Sequence, residues 1–275
     1  MIGKIRCKYI LEKIMKKHLD EKVCLKLVKY NKDLQRKLNI KKIDYINFSE
    51  RVIIDLYPKN ELERGQHPFI NIKENKRQYF HIYFDNNIME ERRTYITEND
   101  RVNRIRVIIE NEINSFAKLF WLCKCIKRIN FVKCDNKKIT NLDSIFMHCL
   151  FLTDIDISKL KTDNVTNMRS MFSVCKSLAN LNLSNFNTQN VFTMYQMFFA
   201  CHALGNIIIN RFDTSNVTNM DSMFYNCKNL TNLDIRNFNI AKVNKMDGMF
   251  SGCKAELKDS IKQQLPDLNA KAFRD

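Results

Sequence analysis

Six cysteines between residues 123 and 253 recur at a fixed interval of 26 residues. A period of this length is typical of proteins built from repeated structural units, so it constrains the fold more strongly than any local pattern does. The period extends over about half of the 275 residues. The cysteines are Cys123, Cys149, Cys175, Cys201, Cys227 and Cys253.

Large apolar residues precede each cysteine at constant spacing. In one copy, Met171 and Phe172 come just before Cys175, with Met168 and Val165 further upstream. Spacings of this kind place apolar side chains on one side of a helix. We therefore expect six short helical segments, which begin near residues 113, 139, 165, 191, 217 and 243.

The other half of each period alternates by two residues. Leu178, Leu181 and Leu183 show the pattern, and Phe186 closes it. Such alternation indicates a short strand with one buried face. A single strand–helix unit cannot bury its apolar side, so we expect the units to stack. The predicted fold class is an α/β solenoid, a leucine-rich-repeat stack of 26-residue strand–helix units with an N-terminal α+β region and a C-terminal capping helix.

Changes in pattern divide the chain into four segments. Residues 1–42 carry helical apolar spacing, residues 43–110 form a mixed β-rich region, and residues 111–254 carry the period. Residues 255–275 form a C-terminal cap and tail, because Leu257, Ile261 and Leu265 recur at helical spacing. We expect this last helix to cover the open end of the repeats.

Within residues 43–110, several strands are predicted. Residues 43–48 and 52–57 are strand-like, and residues 69–72 and 79–84 suggest a β-hairpin. Residues 104–109 have the pattern of the strand that joins the repeats at their open edge.

The repeated block resembles a known family. Residues 163–188, Asp-Asn-Val-Thr-Asn-Met-Arg-Ser-Met-Phe-Ser-Val-Cys-Lys-Ser-Leu-Ala-Asn-Leu-Asn-Leu-Ser-Asn-Phe-Asn-Thr, resemble the BspA-like leucine-rich repeats, also called the Mycoplasma-type lipoprotein repeat. The resemblance covers about residues 113–254. It implies a binding and surface-interaction module from bacteria or protists, and it specifies no activity.

The amino-terminal residues resemble a second family more weakly. The run from Tyr9 to Leu27, with Leu19-Asp20 between two apolar stripes, is similar to an F-box at about residues 7–40. The motif's usual opening Leu-Pro and closing Trp are absent. The resemblance implies that the linker protein that joins F-boxes to a cullin ubiquitin ligase would bind Ile10, Leu11, Ile14, Leu25 and Leu27. A helical cap that protects the first repeat explains the same residues, and both interpretations stay open.

Short polar residues occupy the outward positions of the predicted strands. We predict that this strand face binds a protein partner, as concave repeat surfaces commonly do, although a solvated sheet face explains the same residues. The candidate residues are Asp154, Asp156, Ser158, Asn180, Asn182, Ser184, Asn206, Ile208, Asn210, Asn232, Asp234 and Arg236.

The residues that could carry chemistry do not form a recognisable site. Zinc needs ligands that converge on one point, whereas one cysteine per unit gives a line, so we expect a buried row of small apolar thiols. None of the five histidines stands in a nucleophile–base pattern. We therefore expect no catalytic residue, no cofactor and no metal, and a protein that is not an enzyme.

The chain carries a formal net charge of +16, which raises the question of an anionic partner. The excess is spread through the sequence without a compact basic block, so we expect solvated lysines rather than a nucleic-acid site. No apolar run has the roughly 20 residues of a membrane span. No signal peptide or lipid anchor is recognisable, so a cytoplasmic protein is expected and a cell-surface adhesion protein is the alternative.

Overall fold

The computed structural model describes residues 51–87, 89–110 and 112–274. Predictions for residues 1–42, including the F-box-like residues Ile10, Leu11, Ile14, Leu25 and Leu27, lie outside the described residues, as does the strand expected at 43–48. In the described part the strands are β1 (Val52–Pro58), β2 (His67–Pro68), β3 (Phe80–Phe84), β4 (Tyr95–Ile96), β5 (Ile105–Ile109), β6 (Ile126–Lys133), β7 (Asp154–Asp156), β8 (Asn180–Asn182) and β9 (Asn206–Ile208). The helices are α1 (Ala255–Gln264) and two 3-10 turns, Glu74–Tyr79 and Ala270–Phe273.

A mostly antiparallel sheet forms the amino-terminal part of the described chain. Its strand order is β3-β5-β1-β6-β7, and every neighbouring pair is antiparallel except β6 with β7. Alternate residues of β5 are buried, which accounts for its apolar alternation. In β1, Val52, Ile54 and Leu56 are buried, and so is Asp55, which pairs with Arg106 at 2.8 Å. Strand β1 therefore matches the strand predicted at 52–57.

Two other strand predictions for this region are wrong. Residues 80–84 pair with β5 instead of forming a hairpin with 69–72, and a 3-10 turn occupies Glu74–Tyr79. The strand that joins the periodic region is β1, which pairs with β6, and β5 lies one strand further out. Local alternation identifies a strand, but pairing depends on contacts between residues far apart in the sequence.

The predicted α/β solenoid of strand–helix units is wrong for this chain, and with it the leucine-rich-repeat class. The structure is mainly strands and turns, and in the described residues the six segments expected to be helical are chains of tight turns. Each segment contains two residues with positive φ, four positions apart, such as Ser170 (φ 50°) and Val174 (φ 61°). A left-handed residue at every fourth position stops an α-helix, although the side-chain spacing still satisfies a helical pattern.

The backbone hydrogen bonds show how these turns are held. Alternate amides donate to the unit that follows, as Ser170 N does to the Tyr195 carbonyl at 2.8 Å and Phe172 N to the Met197 carbonyl at 2.9 Å. The amides between them donate three residues back, as Cys175 N does to the Phe172 carbonyl. Parallel bridges at 26-residue intervals link Ser115, Asn141, Asn167, Thr193, Asn219 and Lys245. Successive 26-residue units, which we number one to six from residues 113, 139, 165, 191, 217 and 243, thus pair in parallel register.

Two columns of identical side chains fill the interior of these units. The phenylalanine column is Phe120, Phe146, Phe172, Phe198, Phe224 and Phe250, whose rings stack with centroids 5.2–5.8 Å apart. The cysteine column is buried and reduced, as predicted. From the second unit onward each thiol donates to the carbonyl of a phenylalanine one unit earlier, as Cys201 Sγ does to Phe172 at 3.0 Å. This bond explains why a small donor recurs at that position.

The carboxyl-terminal residues complete the last unit. Helix α1 buries Leu257 and Ile261, in agreement with the predicted helical spacing. The Phe273 ring stacks on Phe250 at 5.7 Å, and the Phe250 amide donates to the Ala272 carbonyl at 2.7 Å. The tail therefore supplies the contacts that a further unit would otherwise make.

Candidate functional site

The six units share one backbone pattern, so a comparison of the residues at each position separates structural residues from candidate functional ones. A residue present at one position in every unit serves the shared backbone or core, whereas a residue found in one unit alone needs another explanation. Threonine serves the backbone in units two, three and five, since the Thr140, Thr166 and Thr218 hydroxyls each donate to the carbonyl at the same position one unit earlier. Units one and six have asparagine at this position. In unit four (residues 191–216) this position is Phe192, which cannot make that bond.

Phe192 is 49% exposed, an uncommon state for a large aromatic ring among the described residues. Its neighbour Tyr195 replaces the aspartate found at Asp143 and Asp221, and the Arg169 guanidinium lies 4.8 Å from the centre of the Tyr195 ring. This cation–π contact orients the arginine. Unit four therefore gives up a hydrogen bond and presents two aromatic side chains.

These side chains line an open groove of about 670 Å³ across units three to six, which we call the Phe192 groove. Its lining residues are Asn167, Arg169, Phe192, Thr193, Tyr195, Thr218, Asn219, Asp221, Asn244 and Lys245. The lining places an aromatic pair between cations at both ends, with amide side chains along the floor. Such a mixture suits a protein surface that offers an apolar anchor and polar rim contacts.

Part of the polar lining is already used by the fold. The side-chain oxygens of Asn167 and Asn219 accept the amides of the residues two positions ahead, at 2.9 Å in both cases. Asp221 Oδ1 accepts the Asp247 amide at 2.8 Å. Within the described residues, the Lys245 ammonium has no carboxylate within ion-pair distance. Across the described part of the chain, the side chains of Phe192, Asn244 and Lys245 make no hydrogen bond or ion pair. Arg169 and Tyr195 contact each other and present one edge of the groove to a partner.

The structure divides the strand face predicted from the sequence. Strand β7 belongs to the five-stranded sheet, whereas β8 and β9 form a separate two-stranded sheet, with Asn232 bridged to Asn206. The predicted face is therefore split between two sheets. The first part comprises Asp154, Asp156 and Ser158, in and just after β7, and the second comprises Asn180, Asn182, Ser184, Asn206, Ile208 and Asn210, in and just after β8 and β9. One continuous sheet surface is not present among the described residues.

Several side chains of the strand face have structural roles. The side-chain oxygens of Asp156, Asn182 and Asp234 accept the amides of Ser158, Ser184 and Arg236. This turn bond accounts for Asp or Asn at that position. Arg236 also pairs with Asp234 at 2.7 Å, which lowers the pKa of that carboxyl to about 2. Asn206 donates to the side chain of Asn180 at 2.8 Å.

Ile208 is the exception on the strand face. It occupies the position of Asp156, Asn182 and Asp234 but cannot form their turn bond, and it is 45% exposed. Ile208 also belongs to unit four, so both surfaces depart from the repeated pattern in the same unit.

The other candidate chemistries find no geometric support in the described residues. Within residues 51–87, 89–110 and 112–274, no group of three or more His, Cys, Asp or Glu side chains is placed to hold a metal ion. Burial raises the pKa of the Cys201 thiol to about 12 and raises that of Cys175 as well, so these thiols stay protonated at neutral pH. The same part of the chain contains no helix long and apolar enough to cross a bilayer.

Sequence reasoning missed Phe192 and Tyr195 because it used the period to find buried positions. The signal was available, since Phe192 stands in a column that reads Thr140, Thr166 and Thr218 in neighbouring units. A departure from an outward-facing column is the pattern that identifies such residues.

The structure thus defines a chain of parallel-paired 26-residue units with an aromatic groove in its fourth unit. The chain belongs to the family described as "Mycoplasma protein of unknown function, DUF285", which matches residues 114–208 and 140–264 and so covers more than half of the chain. No curated protein and no solved structure is detectably similar to it. The resemblance to BspA-like repeats stays a prediction, because the matched family carries no described function.

Proposed function

We propose that the protein is a non-enzymatic interaction module that binds a protein partner through the Phe192 groove. The observation that carries the proposal is the exposure of Phe192 beside the Arg169–Tyr195 pair, at a position that is polar in the other five units. Exposed aromatic and arginine side chains in a concave surface dominate the energy of many protein interfaces. The partner's identity is left to experiment.

The repeated pattern supplies variants for the test. Phe192→Thr restores the residue of both neighbouring units, and Tyr195→Asp restores the residue of unit five. The two changes therefore remove the groove's aromatic pair without a foreign side chain. The full-length protein and this double variant would be used as baits in cells that express the protein naturally, with mass spectrometry of the captured proteins. We expect a partner that the wild type captures reproducibly and the double variant loses.

A second binding surface is favoured by one observation, the exposure of Ile208 on the strand face. The matched variant is Ile208→Asp, which restores the aspartate of Asp156 and Asp234. Loss of the partner in Ile208→Asp, with retention in the groove variant, would move the proposal to the strand face. Retention of the partner in both variants would contradict both surfaces.

Two wider alternatives from the sequence remain proposals. In the adaptor alternative, Ile10, Leu11 and Ile14 hold the linker protein of a cullin ubiquitin ligase, and Ala substitutions there would remove that linker from the captured set. In the adhesion alternative the protein is exposed on the cell surface, and labelling of intact cells would modify it. Without either result, we propose a cytoplasmic interaction protein.

A further inference from the structure

Positively charged side chains form a stripe along the units, at positions outside the Phe192 groove. One position of the unit carries Lys124, Lys176, Lys228 and Lys254, with His202 in unit four and Leu150 in unit two. All four lysines are exposed. His148 lies between Lys124 and Lys176, and both lysines help lower its pKa, after desolvation by burial as the larger cause. The lysine stripe, as we call it, consists of six residues: Lys124, His148, Lys176, His202, Lys228 and Lys254.

The parallel register makes the stripe straight. Backbone bonds join neighbouring units on both sides of the lysine position, from His148 N to the Ser173 carbonyl and from Thr153 N to the Lys127 carbonyl, each at 2.9 Å. With paired strands about 4.8 Å apart, the five steps from Lys124 to Lys254 span roughly 24 Å. Successive lysines are thus one or two unit spacings apart, roughly 5 or 10 Å, which is comparable with the Debye length of about 8 Å in physiological salt.

No acidic side chain interrupts this band between Lys124 and Lys228. From Lys124 to Lys228, the windows 121–127, 147–153, 173–179, 199–205 and 225–231 contain no Asp or Glu, and at the end of the stripe Glu256 follows Lys254 by two residues. Within the described part of the chain, none of the four stripe lysines has a carboxylate within ion-pair distance. Elsewhere on the surface charges of both signs mix, as at Asp234 and Arg236. The uniform sign defines a surface for an anionic partner.

Exposed aromatic residues flank the amino-terminal end of the stripe. Trp121 is 38% exposed and precedes Lys124 by three residues, and Phe151 is 44% exposed and follows His148 by three. The Lys118 ammonium lies 5.7 Å from the Trp121 ring, and the Lys59 ammonium lies 4.3 Å from the Phe151 ring. Aromatic rings beside lysines are typical of side chains that sit at the headgroup level of a bilayer.

We propose that the lysine stripe docks the protein on an anionic lipid surface, with Trp121 and Phe151 inserted among the headgroups. A nucleic acid fits less well. The stripe contains no arginine for bidentate phosphate contacts, and the faces of Phe199 and Tyr225, the other aromatic rings of the band, stack on each other at 4.8 Å. Their faces are therefore occupied and offer little platform for bases.

The chain contains one tryptophan, so Trp121 reports its own environment. Full-length protein would be mixed with phosphatidylcholine vesicles containing about 30% phosphatidylserine, and with phosphatidylcholine alone. We expect the protein to co-sediment with the anionic vesicles, and its tryptophan emission to shift to the blue. With pure phosphatidylcholine vesicles we expect neither effect. Binding should weaken as salt rises, because the attraction is electrostatic.

Two charge-matched variants locate the interaction. Lys176→Gln with Lys228→Gln removes two charges from the stripe, and Lys159→Gln with Lys161→Gln removes two exposed charges outside it. We expect the first pair to lower the vesicle partition coefficient about 25-fold, since each lysine near the surface contributes roughly a 5-fold effect. The second pair should change it less than about 2-fold.

Three results would overturn the proposal. The first is a wild type that fails to bind the anionic vesicles. The second is equal loss of binding in the two variants, which would mean that net charge or another segment is responsible. The third is tight binding of a single-stranded oligonucleotide that the stripe variant loses while vesicle binding is unchanged, which would assign the stripe to nucleic acid. Both variants would first be shown to unfold at the same urea concentration as the wild type.

Discussion

Unit four and its two neighbours share one interior and differ on their surface. Phe172, Phe198 and Phe224 are fully buried in one column, and Cys175, Cys201 and Cys227 make the same thiol bond. On the outside, unit four replaces a threonine by Phe192 and a turn-forming Asp or Asn by Ile208. The other five units fold with a polar residue at the first position, and both neighbouring units fold with Asp or Asn at the second. The fold therefore does not require Phe192 or Ile208, and the difference separates what folding needs from what binding uses.

The cysteine column, together with the buried Cys125 and Cys134 outside it, predicts the largest effect, an alkaline unfolding. Burial raises the pKa of the Cys125, Cys134 and Cys201 thiols from the ordinary value of 9.0 to about 12 and raises those of Cys123, Cys149, Cys175 and Cys227 as well. Above pH 9 the unfolded chain releases protons that the folded chain keeps, so this stability is complete below pH 9 and is lost as pH rises toward 12.

Above pH 9, each thiol that ionises only in the unfolded chain lowers the unfolding free energy by about 1.4 kcal/mol per pH unit. For seven thiols, the loss over one pH unit approaches the whole stability of a domain. We expect circular dichroism to show cooperative unfolding near pH 10, with a shallower pH dependence in Cys201→Ala. A chain that stays folded at pH 11 with its thiols ionised would contradict the shared buried column.

The next effect tests whether the interior of unit four is equivalent to that of its neighbour. Phe198→Ala and Phe172→Ala each remove a buried ring stacked between two others. Each should lower the unfolding free energy by about 4 kcal/mol, and the two values should agree within roughly 1 kcal/mol. Urea denaturation measures both. A much smaller cost at Phe198 would mean that unit four packs differently from unit three.

A smaller effect tests the shared turn geometry. Gln196 (φ 52°) and Ser222 (φ 53°) occupy the left-handed position that Gly248 fills in unit six. Gln196→Gly and Ser222→Gly should each raise the unfolding free energy by about 0.5–1 kcal/mol, because glycine adopts this conformation without strain. In a helix the same changes would lower it by a similar amount. Urea denaturation therefore distinguishes turns from helices in both units.

The smallest effect on stability belongs to the residue with the largest expected effect on binding. Phe192→Thr exchanges a half-exposed ring for the hydroxyl that donates to the preceding unit in Thr218. We expect the unfolding free energy to change by less than about 0.5 kcal/mol. Thermal and urea denaturation check this value. A loss above roughly 2 kcal/mol would show that Phe192 serves the fold, and its exposure would no longer indicate a site.

The sequence predicts the buried columns well and the backbone poorly. The period alone places Phe172, Cys175 and Leu181 in the interior, where the structure has them. It fails for the turns because apolar residues at helical spacing also face inward from tight turns, and the left-handed residues Ser170 and Val174 carry no strong sequence signal. Val174 is β-branched, which argues against positive φ when only local preference is considered.

The candidate site, too, was only partly predictable from the sequence. The strand face was predicted from polar alternation, but the turn bonds of Asp156, Asn182 and Asp234 show that this polarity also serves the backbone. The Phe192 groove depends on which columns lie side by side, and the lysine stripe depends on parallel register between units. Neither arrangement can be read from one unit of sequence.

The central claim, that unit four carries the binding surface, is tested most directly by photo-crosslinking in living cells. Benzoylphenylalanine would be introduced at position 192, at position 140 of the same outward column two units away, and at position 208 of the strand face. We predict one discrete covalent adduct from position 192 and none from position 140. Equal adducts from positions 192 and 140, or an adduct from position 208 alone, would contradict the assignment of the Phe192 groove.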